Sequence, residues 1–325
     1  MGKGARRLAG TGLALLLGAC GREEPATTTC PEVACLERTL GGHAQRVAAV
    51  AFSSDGRTLA TGSTDRTVRL WSVADGVPQY TLEGHTSSVL SVAFAPDGRL
   101  LASGSEDATI RLWHPADGSL VRTLTGAGFG VTAVVFSKDG RSLLASSADH
   151  TVRIWDVESG QERLRIDAHV APVTAVALSP DGQSFASAGA TLDGRVRLWS
   201  FPTASPLWQA AGETAVWSLA FAPDGRALAA GGSFGSVRLR SAADGSPLRV
   251  LQAGDSLVAA IAWSSDGQFL AASEGAAIRV FNPGSGASVG RLTGHTGPVF
   301  ALAFSPDART LASGSDDQTT RLWRF

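Results

Sequence analysis

Residues 42–71 read "GHAQRVAAVAFSSDGRTLATGSTDRTVRLW", and the stretch returns with substitutions through the rest of the chain. Its turn Ser54-Asp55-Gly56 recurs as Pro96-Asp97-Gly98, Lys138-Asp139-Gly140, Pro180-Asp181-Gly182, Pro223-Asp224-Gly225, Ser265-Asp266-Gly267 and Pro306-Asp307-Ala308. The period is about 42 residues, the mark of a repeat architecture. Each turn suits a hairpin: Pro presets φ, Asp bonds the backbone and Gly takes the left-handed position. An aromatic-ended strand precedes it, with Phe52, Phe94, Phe136, Leu178, Phe221, Trp263 and Phe304 in register. A strand of small residues follows, then a tight turn holding Asp, then a strand of the type Thr67-Val68-Arg69-Leu70-Trp71. Its Trp recurs as Trp113, Trp155, Trp199 and Trp323, with Arg240 and Phe281 in repeats five and six. A fourth strand, such as residues 119–124, completes the unit. Four short strands in each of seven units predict an all-β, seven-bladed β-propeller of four-stranded antiparallel blades.

On these residues the chain resembles the WD-repeat β-propeller family. Gly42-His43, Gly84-His85 and Gly294-His295 match its Gly-His pair, with Ala168-His169 as a variant, and Trp155-Asp156 is the one intact Trp-Asp pair. The resemblance covers about 290 residues. It is specific for fold and says almost nothing about activity.

Residues 36–40, "LERTL", differ at one position from the outer strand "LVRTL" at 120–124, and they precede the first full repeat. The last repeat stops at Phe325 after its third strand. The economical expectation is that 36–40 pairs beside 319–325, completes the seventh blade and covers an edge that would otherwise template aggregation. This resembles the family's closure of the ring by strand exchange between its two ends. The expected propeller domain is 36–325.

Residues 1–19 read as an address. Lys3, Arg6 and Arg7 form a basic start and residues 8–17 a short apolar run, too short to span a bilayer of about 20 residues. Leu17-Gly18-Ala19-Cys20 resembles the lipobox of bacterial lipoproteins, which implies lipidation of Cys20. Gly21, where an Asp would imply inner-membrane retention, favours the outer membrane with the protein facing the periplasm. The alternative is an ordinary signal peptide cut elsewhere. Residues 20–35 are then a lipidated cysteine and a flexible tether. In an oxidising compartment Cys30 and Cys35 are expected to pair, the alternative being two free thiols.

Composition narrows the function. The formal charge is −1, and of 28 basic residues only Lys3 and Lys138 are lysines. The arginines two before each Trp position are spread one per blade and form no nucleic-acid footprint. All three cysteines lie within the first 35 residues, so the repeats hold no thiolate zinc site and no cysteine nucleophile. No metal or other cofactor is expected. Four repeats bring together His43/Asp65/Trp71, His85/Asp107/Trp113, His169/Asp193/Trp199 and His295/Asp317/Trp323. With nearby Ser or Thr these invite a hydrolase reading, but an active site is needed once and this set recurs. The resemblance implies structural hydrogen-bonded tetrads. Repeats five and six have Phe234 and Gly275 in the Asp positions.

By resemblance, partners bind the face that bears the Gly-His and Asp turns, around the channel mouth. Carrying over the family's contact positions gives Arg46, Leu90, Glu106, Thr132, Thr174, Leu192, Trp217, Phe300 and Asp316. Trp217, Phe300 and Leu90 are expected to make an apolar rim beside Glu106, Glu274 and Asp316, a composition suited to a protein hot spot. Packing of Trp217 and Phe300 between blades is the competing expectation. The expected function is a monomeric, non-catalytic protein–protein interaction scaffold, lipid-anchored in the periplasm. The alternatives are a propeller enzyme with a channel-mouth site and an intracellular scaffold with an uncleaved leader. His114 and His150 fit no cluster that the enzyme alternative needs.

Overall fold

The computed structural model describes residues 33–211 and 215–325. Cys20, Cys30, the leader and the bulk of the tether lie outside the described residues. Seven four-stranded antiparallel sheets follow one another along the chain. Blade one is Val47–Phe52, Thr58–Ser63, Val68–Ser72 and Pro78–Leu82, and blades two to six repeat the order, starting at Val89, Val131, Val173, Val216 and Ile261.

Blade seven is assembled from both ends of the repeat region. Its sheet order is Cys35–Leu40, Thr320–Arg324, Thr310–Ser315, Val299–Phe304. Leu36 sits opposite Trp323 and Leu40 opposite Thr320, with an irregularity between Leu36 and Arg38. Phe325 then packs its ring 5.0 Å from Phe304 and 5.2 Å from Phe269 of blade six, a tilted aromatic cluster over the seam. The bare edge of Thr320–Arg324 is therefore covered.

The core lies between blades. Blade one supplies Ala60, Val68 and Leu70, and blade two packs Val89 and Val92 against them. The residues between turn and turn are small for this reason: a Cβ on Gly62 would lie 2.8 Å from Val89 Cγ1. Middle strands such as Leu101–Ser105 are buried throughout, while the outer strand Pro78–Leu82 is exposed except at Leu82. The packing begins just ahead of residue 36, because Ala34 is buried with residues of blades six and seven. Cys35 is disulfide-bonded, and its partner lies outside the described residues.

Candidate protein-binding face

Four blades lock their upper turns with the same network. In blade two His85 Nδ1 lies 2.8 Å from Asp107 Oδ2 and Nε2 lies 2.7 Å from Ser103 Oγ. Trp113 Nε1–H donates to that hydroxyl oxygen at 2.9 Å. With an ionised Asp107 the ring donates from Nδ1, and Ser103 donates to Nε2 while accepting from the indole, so each group is satisfied by a neutral imidazole. Blade one repeats it through His43, Thr61, Asp65 and Trp71, blade four through His169, Ser187, Asp193 and Trp199, and blade seven through His295, Ser313, Asp317 and Trp323.

The electrostatics agree with that proton placement. Burial pushes the pKa of His85 down, and its bond to Asp107 only partly restores it; His43, His169 and His295 behave alike. Burial works to raise Asp107, but bonds from Thr109, the Thr86 N–H and His85 outweigh it and hold the carboxyl at about 2. Asp65 and Asp317 also lie at about 2. The hydroxyls sit at 0% exposure in Thr61, Ser103, Ser187 and Ser313, beneath the indoles, where no substrate carbonyl reaches them. The arrangement ties one turn to another and offers no nucleophile.

The Gly of Gly-His has its own reason. Gly42 has φ +146°, and a Cβ there would stand 2.7 Å from Arg69 Nη1. In the three blades with an intact Gly-His pair the arginine packs over this glycine, Arg111 over Gly84 and Arg321 over Gly294 likewise.

Blade three is a variant that sequence reasoning missed. Ala127 occupies the His place and Ala145 the hydroxyl place, and both line a small cavity with Trp155. Buried Arg153 takes over the carboxylate, with Nη1 2.8 Å from Asp149 Oδ2 and Nε 3.1 Å from Glu162. Trp155 Nε1 is buried without a hydrogen-bond partner. The signal was available in the two alanines.

Of the carried-over contact positions, several are already engaged. Arg46 donates Nε–H to Asp316 Oδ1 at 2.8 Å and lays its guanidinium 4.2 Å from the centre of the Phe300 ring. These three therefore form a clamp from blade one to blade seven, and the Phe300 face is covered. Thr132 donates to the carbonyl of Val173 at 2.6 Å, and Thr174 to that of Val216, so both hydroxyls tie neighbouring blades. Leu90 is half-buried, while Glu106 is exposed and accepts from Ser87. Leu192 at 88% and Trp217 at 40% exposure face solvent. Glu274, expected among the rim acids, is paired with Arg279 and Arg291. His114 and His150 are exposed, outside the tetrads.

Comparison with known proteins decides the family. The model "WD domain, G-beta repeat" matches residues 34–72, 76–114, 118–156, 160–200 and 286–324. The chain belongs to the WD-repeat family. A second model, "Anaphase-promoting complex subunit 4 WD40 domain", matches residues 197–266, across the fifth blade. Among curated WD-repeat relatives, "WD repeat-containing protein SL1-17" of Schistosoma mansoni is 40% identical over 42% of this chain and 46% of its own length. "Serine-threonine kinase receptor-associated protein" of Homo sapiens is 29% identical over 41% of this chain and 37% of its own. "Protein Mut11" of Chlamydomonas reinhardtii is 53% identical over 16% of this chain and 14% of its own. The chain thus aligns with less than half the length of each of these WD-repeat relatives.

Proposed function

We propose that this WD-repeat propeller is a non-catalytic docking scaffold that binds a protein or peptide on the face carrying the Gly-His and Asp turns. The observation that carries this reading is the contrast on that face between locked and presented side chains. The His, Asp and hydroxyl groups that would be chemically active are consumed in buried tetrads. Leu192 stands almost fully in solvent, and Trp217 is exposed at 40%. Aromatic and aliphatic anchors of this kind carry binding energy in protein interfaces.

We further propose that Cys20 is lipidated and holds the propeller at the outer membrane, facing the periplasm. This address rests on the order of basic start, apolar run, small pair and cysteine in residues 3–20. The relatives named above are eukaryotic and add nothing to it. Cys30 is the proposed disulfide partner of Cys35.

Two measurements test the scaffold and its address. A photo-crosslinking residue at Trp217, compared with one at Ser265 on the opposite face, should capture a discrete partner only from the Trp217 position. Capture only from Ser265 refutes the face. Metabolic labelling with a palmitate analogue should mark the wild type and not Cys20→Ala, and equal labelling of the two refutes the anchor.

A further inference from the structure

The binding face is divided into two halves of different chemistry. In blades three to six its loops expose Phe129 (67%), Val170 (71%), Leu192 (88%), Phe234 (71%) and Leu257 (38%), and the start of strand Val216–Phe221 exposes Trp217 (40%). The corresponding loops of blades seven, one and two carry Pro298, Asp316, Gln45, Arg46, Thr64, Arg66, Ser87 and Glu106. Among the described residues, no large apolar side chain of those three blades is exposed on this face. The remaining exposed apolar residues lie on or beside outer strands, as Leu36, Tyr80 and Leu248 do. Four consecutive blades therefore present one apolar arc, and a concentration of this kind marks an interaction surface.

Phe234 shows that the arc is not a by-product of folding. It sits at φ +61°, ψ +31°, the left-handed region that a bulky residue occupies at a cost and that Gly or Asn occupies cheaply. Its side chain points to solvent and joins none of the buried clusters. The chain thus keeps a phenyl ring where folding alone favours its loss, a pattern associated with function. Leu192 is presented in a comparable way, at the tip of a turn with two residues more than its counterparts.

Charge at the ends of the arc completes the description. At its first end stands Glu106 of blade two, whose backbone lies against Gly130, next to Phe129. At its last end stands Asp255, two residues before Leu257. Both are exposed, and neither has a cationic partner among the described residues. The cations along the arc are engaged: Arg153 with Asp149, Arg197 with Asp193, Arg279 with Glu274, and Arg195 with the Gln209 amide oxygen. Among the described residues the arc thus presents large apolar side chains from blade to blade, with a carboxylate lacking a cationic partner at each end.

We propose that this arc is the docking surface for a peptide segment with large apolar side chains in its middle and a Lys or Arg towards each end. The proposal rests on the scaffold reading above and specifies its partner. The apolar residues supply affinity, and the two carboxylates set the position of the segment and exclude acid-flanked competitors. An anionic lipid surface is a poor fit, because the same carboxylates would face its charge.

Random-peptide display on the full chain carrying Cys20→Ala tests this. Enriched peptides should combine a Leu/Phe/Trp-rich middle with basic flanks. Their affinity should fall about tenfold in Phe234→Gly, as for the loss of one interface anchor, while the melting temperature of that variant holds or rises. Glu106→Gln with Asp255→Asn should abolish the preference for Lys over Glu flanks, and Gln45→Ala, on the polar half of the face, should leave binding unchanged. Acid-flanked winners, winners indifferent to Phe234→Gly, or a screen without winners overturn the proposal. So does pelleting of the chain with phosphatidylglycerol vesicles that Phe234→Gly abolishes. Winners that crosslink to this face but outside the arc sink only this proposal, whereas winners confined to the Asp-Gly turn face sink the scaffold reading as well.

Discussion

Blades two and five contain the same four strands and treat their upper turns in opposite ways. In blade two Asp107 accepts from His85, Thr109 and the Thr86 N–H, and the turn is bound to the loop beside it. In blade five Phe234 stands where that Asp would be, no buried carboxylate needs partners, and the turn carries an exposed ring. Arg240, buried in place of the Trp, caps the carbonyl of Ala211 instead of covering a hydroxyl. A turn spends its side chain either on its own blade or on the solvent.

The comparison breaks first at the seam, in blade seven, which is locked twice. Replacing residues 36–40 with a Gly/Ser stretch removes the strand paired to Thr320–Arg324 and should lower the melting temperature on the order of 10 °C. Calorimetry should show a broader transition, and an unchanged melt refutes the closure as a source of stability.

A smaller loss is expected inside one locked turn. His85→Ala leaves the Asp107 carboxylate and the Ser103 hydroxyl short of a partner, at a cost of about 2–4 kcal/mol by urea unfolding. The wild type should also show the tetrads in its pH profile. A buried His with a lowered pKa stays neutral while the unfolded chain takes up a proton below about 6.5, so stability falls as pH drops through that value. Asp65, Asp107 and Asp317, held at about 2, add a second loss as pH falls from the ordinary carboxylate range towards 2. His85→Ala should flatten the first of these slopes by one histidine. A profile flat between pH 7 and 5 contradicts the neutral-imidazole network.

The smallest effect sharpens the comparison at blade three, which stands between the two classes. Ala145→Ser offers Trp155 Nε1–H the acceptor that Ser103 offers Trp113, and should stabilise by about 1 kcal/mol. If the variant is less stable than wild type, the missing hydroxyl is not what distinguishes this blade.

How much of this was legible differs from residue to residue. The closing strand was visible as "LERTL", because a strand that repeats an outer-strand pattern ahead of the first repeat has one place to pair. The His/Asp/Trp spacing was equally visible. The exchange of His for Arg153 in blade three went unread because that arginine recurs in every blade, although Ala127 and Ala145, which free it to turn inward, carried the signal. Thr132, Thr174 and Phe300 were assigned to the face from their position in the repeat. Their engagement with Val173, Val216 and Arg46 depends on the next blade in the ring. Phe129 and Val170 were passed over because each is unremarkable in its own repeat, while Phe234 was noticed only as a lost Asp and its exposure came from the structure.

The sequence by itself determined the period, the four strands per unit, the seven units and the closure, because hairpin turns, strand alternation and the tetrad are local and recur. The tertiary structure alone decided which side chains on the face are free. Exposure there is set by what the adjoining blade offers, and residues about 42 apart meet only once the ring has formed.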